Sequence, residues 1–208
     1  MSMHKLRTIT TVLLVMAAGS AAAADKDKIS FDMVVSKAAS NCLPDAQARV
    51  TIDSKGEAED MFIFASGLPP NTGFDFFVIQ VPNAPFGLAW YQGDVETDSA
   101  GNAVQHFRGR FNIETFIIAQ GVAQAPQVFN DPPFPDAKEN PETFGPDGKT
   151  PGPVQTYHLG LWFNSPKDAQ KAGCLANVTP FNGEHNAGIQ VLNTSNFPDN
   201  FGALRTLN

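Results

Sequence analysis

Four histidines occur, at positions 4, 106, 158 and 185, and two of them stand close to other groups able to do chemistry. His158 and His185 lie in the same third of the chain, with Cys174 between them and Glu184 beside His185. Imidazole and carboxylate are ligands for Zn or Cu, and a Glu beside a His offers an acid and a base. The chemistry these residues allow is a metal-assisted reaction of an extracellular enzyme using His158, His185 and Glu184. Their spacing matches no known ligand motif, and the sequence has no G-x-S-x-G, no H-E-x-x-H and no glycine-rich phosphate loop. Neighbours along a strand point to opposite faces, so Glu184 and His185 act together only if a turn brings them round. The plain reading makes residues 182–186 a polar hairpin turn, His158 a half-buried strand residue beside Trp162, and His106 an exposed one beside Arg108 and Arg110.

Asp94, Glu96 and Asp98 alternate, which would put three carboxylates on one strand face within reach of a hard cation such as Ca²⁺. An EF-hand is excluded, because Ser99 stands where its glycine belongs and Gln105 where its bidentate glutamate belongs. A solvated acidic edge is the simpler reading. Among the aromatic residues, 17 Phe against two Trp and two Tyr indicate core filling. Trp90, Tyr91 and Trp162 have the polar handle that suits a groove for a carbohydrate or peptide.

The residues that would position these groups begin after an export signal. Residues 1–24 contain a basic start (Lys5, Arg7), an apolar run and Ala22-Ala23-Ala24 before Asp25. This is the pattern of a secretory signal peptide, with a run too short to span a bilayer. Its alanine-rich end suggests a bacterial protein, secreted or periplasmic, with no membrane span in the mature chain. Loss of Lys5 and Arg7 leaves 12 basic against 21 acidic residues, a net charge of −9, which argues against nucleic acid as a partner. Cys42 and Cys174 are the only cysteines. In an oxidising compartment they are expected to pair and to tie the N-terminal region to the segment after a short helix.

Residues 25–208 read as a single domain built of strands. Residues 29–35 and 48–52 form the first two, the second alternating Ala48, Val50 and Ile52 against Arg49, Thr51 and Asp53. Residues 61–65 and 74–80 are apolar on both faces, as central strands of a layered sheet would be. Residues 88–95 follow. The cluster 98–102 has the composition of a hairpin loop before a strand with Phe107 and Phe111 inward. Eight prolines fall within residues 120–153, which therefore form a long loop excursion. Residues 156–163 put Tyr157, Leu159, Leu161 and Phe163 on one face and His158, Gly160 and Trp162 on the other. Ser165, Pro166 and Gly173 delimit the one helix, and residues 187–193 form a last strand.

Between the third and fourth strands the cluster Gly67-Leu68-Pro69-Pro70-Asn71-Thr72-Gly73 forces a corner. Leu68-x-Pro70-x-Thr72-x-Phe74 resembles the L-x-P-x-T-x-Y corner of fibronectin type III and related immunoglobulin-like sandwiches. Phe74 stands where a tyrosine would return a hydrogen bond to the backbone. Strand after strand with one helix, together with this corner, predicts an all-β, antiparallel Greek-key β-sandwich (immunoglobulin-like) with one short helix and a long Pro-rich loop. Loops of a sandwich gather at its ends, so a ligand site is expected where His158, Trp162, Glu184 and His185 converge. Its contents would be a small polar or carbohydrate-like ligand, or another extracellular protein, in a non-catalytic binding or structural role. A metal ion (Zn or Cu) is the second possibility.

Overall fold

The computed structural model describes residues 27–112, 116–117, 154–179 and 185–207. The expected signal peptide 1–24 and the whole of the excursion 120–153 lie outside these residues. Eight strands form one antiparallel sheet: β1 (Lys28–Val35), β2 (Gln47–Lys55), β3 (Ala58–Ser66), β4 (Gly73–Ile79), β5 (Ala89–Glu96), β6 (Ala103–Gly109), β9 (His158–Phe163) and β10 (Gln190–Asn193). A short ribbon of β7 (Phe116–Ile117) and β8 (Val154–Gln155) stands apart. The order β5-β4-β9-β10-β1-β2-β3-β6 curls until its two ends meet, so the sheet is nearly a barrel. Among the described residues the fold is all-β, with a single short α-helix, α1 (Pro166–Lys171).

Alternation explains the inside. Val50 and Ile52 of β2, Met61 and Ile63 of β3, Phe74, Phe76 and Val78 of β4, and Leu159, Leu161 and Phe163 of β9 share one buried core, because successive strand residues face opposite sides. The half made of β1, β2, β3 and β6 faces the half made of β10, β9, β4 and β5 across this core. β1 joins the two halves: Lys28 to Met33 pair with β2, whereas Val34 and Val35 pair with β10.

The corner after β3 carries the chain from one half to the other, since β3 pairs with β2 and β6 while β4 pairs with β5 and β9. Residues 98–102 were expected to close a hairpin, yet β5 and β6 share no ladder. They turn a second corner beside the first. The Leu68 N–H donates to the Gly101 carbonyl at 3.2 Å and the Asn71 N–H to the Asp98 carbonyl at 3.0 Å. Gly101 has φ of +76°, and a Cβ there would lie 2.0 Å from the Leu68 oxygen, so only glycine allows the two corners to touch. The Asp98 carboxylate accepts from the Ala100 and Asn102 N–H groups at 2.8 and 2.9 Å, which holds its pKa below the usual carboxylate value. That group serves the turn.

The strand patterns differ from expectation on one point. β4 is buried on both faces, but β3 is not, because Phe62 is half-buried and Phe64 is 49% exposed on the outer side. The helix is as expected: the Ser165 hydroxyl accepts from the Asp168 N–H at 3.2 Å, Pro166 opens the first turn and Gly173, at φ of +77°, follows its end.

Candidate ligand site on the outer face of the sheet

Cys42 and Cys174 form a disulfide across 132 residues of sequence. It links the segment after β1 to the segment after α1, as expected from export.

The outer face of β4 and β9 is unusual because it too is covered. Phe77, Ile79, Trp162 and Ala187 form a second buried cluster with Phe86 and Ala89 against it. Trp162 is its centre, 0% exposed, with the rings of Phe77 and Phe86 standing edge-on at 5.4 and 5.2 Å. The indole lies over Gly160, where a Cβ would come within 2.2 Å of Cζ3. Gly160 is therefore the seat that lets a tryptophan lie flat on this strand.

Beside this cluster is a cavity of about 850 Å³. Trp162, Ile189 and Gln190 form its floor, and three segments make the walls: residues 36–38, residues 83–86 and residues 177–179. Each wall is fixed to β10 or its approach. Ser36 donates its hydroxyl to the Gln190 carbonyl at 2.6 Å. The Pro82 carbonyl accepts from the side-chain amides of Gln190 and Asn193, both at 3.1 Å. Thr179 exchanges backbone hydrogen bonds with Ala187 and donates its hydroxyl to the Gly188 carbonyl at 2.7 Å. The disulfide ties the first wall's segment to the third's. A space of this size, part apolar and with a few polar groups at its mouth, has the usual anatomy of a small-ligand site.

The expected site residues fall differently. His158 lies on the same outer face of β9 as Trp162, but it is 0% exposed and its ring is fully engaged. Nε2 faces the carbonyl oxygens of Pro198 and Asp199, both at 3.2 Å, and Nδ1 lies 2.9 Å from the Thr194 hydroxyl oxygen. Carbonyls only accept, so Nε2 carries the proton and Nδ1 accepts from Thr194. The Thr194 oxygen in turn accepts the Leu159 N–H at 3.1 Å. His185 is exposed and bonded through Nε2 to the Asn164 side-chain oxygen, just past the other end of β9. Six residues of extended chain separate positions 158 and 164, about 20 Å at strand rise. His158 and His185 therefore sit at opposite ends of the strand, and the shared cleft expected from the sequence has no common centre. Glu184 lies outside the described residues. Among the described residues, no group of three or more His, Cys, Asp and Glu side chains is arranged to hold a metal ion.

The other candidates also separate. His106 stacks on Phe62 and bonds to the Asp60 carboxylate at 2.8 Å on the outer face of β6. Trp90 packs against the main core and bonds Gln92, while Tyr91 is 50% exposed and donates to Asp94 at 2.5 Å. Only Trp162 of the three borders the cavity. Lys37, Asn83, Phe86 and Asn177 were not singled out from the sequence. Their signal was indirect: a Pro- and Asn-rich break at 81–87 and two segments joined by a disulfide.

Burial lowers the His158 pKa below its ordinary value. With the folded pKa below the unfolded one, the unfolded chain takes up the proton first. The neutral imidazole's stability is thus intact above the unfolded value, about 6.5, and is lost as pH falls from there toward the folded value, at up to about 1.4 kcal/mol per pH unit. Urea unfolding between pH 7.5 and 5 should be steeper in pH for the native chain than for His158→Gln. Parallel profiles would contradict this.

No protein-family model matches this chain, and no curated protein matches its sequence. Among the described residues, no helix is long and apolar enough to cross a membrane.

Proposed function

We propose that the chain is an exported, non-catalytic binding protein that holds a small polar ligand in the cavity beside Trp162. The observation that carries this is the construction of the cavity: about 850 Å³, with three irregular walls each anchored by hydrogen bonds to one rigid strand region. Loops held by a sheet are the common way a β-fold presents a ligand site. A disulfide fits export, because such bonds persist in oxidising compartments. The immunoglobulin-like Greek-key sandwich is the finer form proposed for the fold. Its support is the buried pair Leu68 and Phe74 flanking the corner and the two halves facing one core. The metal-assisted enzyme using His158, His185 and Glu184 has less support, since both nitrogens of His158 already have partners.

The test uses the Trp90→Phe variant, which leaves Trp162 as the sole tryptophan. Its emission is followed during titration with small saccharides and small amphipathic organic compounds. One class is expected to change the emission saturably, and Ala38→Phe, which fills the cavity from an exposed wall position, is expected to abolish the change. An emission change unaffected by Ala38→Phe, or no saturable change with any class, would count against the site.

A further inference from the structure

The lining of this cavity carries a charge asymmetry. Its described residues include one cation, Lys37, and amide or hydroxyl side chains at Ser36, Asn83, Asn177, Thr179 and Gln190, but no Asp or Glu. The whole chain has 21 acidic residues against 14 basic and a net charge of −7. Among the described lining residues the only full charge is thus positive, in a protein that is acidic as a whole, and Lys37 is exposed at the mouth with no ion-pair partner among the described residues. The Gln190 amide is consumed internally by Pro82 and Asn193. Asn83 and Asn177, both exposed, are the other side-chain amides in the lining. The remaining lining, Ala38, Ala84, Phe86, Val178 and Ile189, is apolar.

We infer that the ligand is an amphipathic monocarboxylate: its apolar body lies against Phe86 and Val178, and its carboxylate meets Lys37. One cation matches one negative charge, and the apolar walls require an organic body that an inorganic anion lacks. A positive charge at the mouth of a recess attracts a ligand of opposite sign, and salt weakens that attraction where the charge is exposed. This rests on the proposed function and narrows it to one ligand class.

The experiment compares 4-phenylbutanoate with its neutral isostere 4-phenylbutanamide by isothermal titration calorimetry at low ionic strength. The carboxylate is expected to bind about tenfold more tightly than the amide, a typical worth for one partly exposed charge-assisted contact. Lys37→Met should bring the carboxylate down to the affinity of the amide and leave the amide unchanged. Lys171→Met, on the exposed helix away from the cavity, should change neither. Added salt should narrow the gap between the two compounds. Equal affinities, or equal losses in Lys37→Met and Lys171→Met, would overturn the ligand class and leave the cavity as a binding site for a neutral molecule. Failure of both compounds to bind would overturn the ligand class too, and a negative result in the Trp162 titration would then remove the site itself.

Discussion

Replacing both cysteines by alanine is expected to lower the unfolding free energy by about 4 kcal/mol. The bond spans 132 residues, so its loss frees a very long loop in the unfolded chain. Loop-closure entropy grows only slowly with length, but a loop of this size is near the top of the scale, at about 4 to 5 kcal/mol before any native strain is subtracted. With a urea m-value of about 2 kcal/mol/M, the midpoint should move down by about 2 M. A second effect should be local. Cys42 follows the 36–38 wall and Cys174 precedes the 177–179 wall, so the variant's cavity loses its cross-brace while β10 and the 187–188 segment before it still hold the walls by hydrogen bonds. Ligand affinity should therefore fall even below the unfolding transition. A midpoint change under about 0.5 M would mean that the bridge constrains little, contrary to the expectation from chain entropy.

The other large effect is expected at Gly160. Alanine there would place its Cβ 2.2 Å from Cζ3 and 2.5 Å from Cη2 of Trp162, and the ring cannot retreat because Phe77 and Phe86 stand against it. Overpacking of this kind costs about 2 to 3 kcal/mol. Trp162→Leu should cost a similar amount by leaving a void. In the double variant the smaller side chain no longer meets the new Cβ, so the two losses should not add; its stability should be close to that of Trp162→Leu alone. The coupling free energy from denaturation of the four proteins, expected at about 2 kcal/mol, checks this. Strict additivity would show that the indole does not rest on Gly160.

Much of the architecture was written in local patterns. Alternation in β2, the Gly/Pro cluster at 67–73 and the Ser165-Pro166 helix start each reflect a short-range preference that the chain obeys. What escaped is set by distant partners. The turn at 98–102 has hairpin residues, but its chain crosses between halves because it bonds to the corner at 68–71, some thirty residues earlier. Two phenylalanines in β3 promised a doubly buried strand, yet nothing described covers Phe64; the same richness in β4 is buried on both sides because the 80–88 segment and β9 bring Phe86 and Trp162 over it. His158 had the look of a ligand residue. Its partners, Thr194, Pro198 and Asp199, come from a tail 36 to 41 residues away, and no short-range signal announces them. The cavity walls share that origin, since each is irregular chain and only the hydrogen bonds to the region of β10 bring them together.

Amide chemical-shift mapping puts the cavity to the most direct test. Uniformly ¹⁵N-labelled native protein is titrated with 4-phenylbutanoate, and the shifted resonances are assigned. The largest saturable shifts are expected in residues 36–38, 83–86 and 177–179, with the Trp162 indole N–H moving alongside them. Shifts centred instead on the exposed outer face of β3 and β6, around Phe64 and Val104, would place binding on the opposite half of the sheet and contradict the assignment.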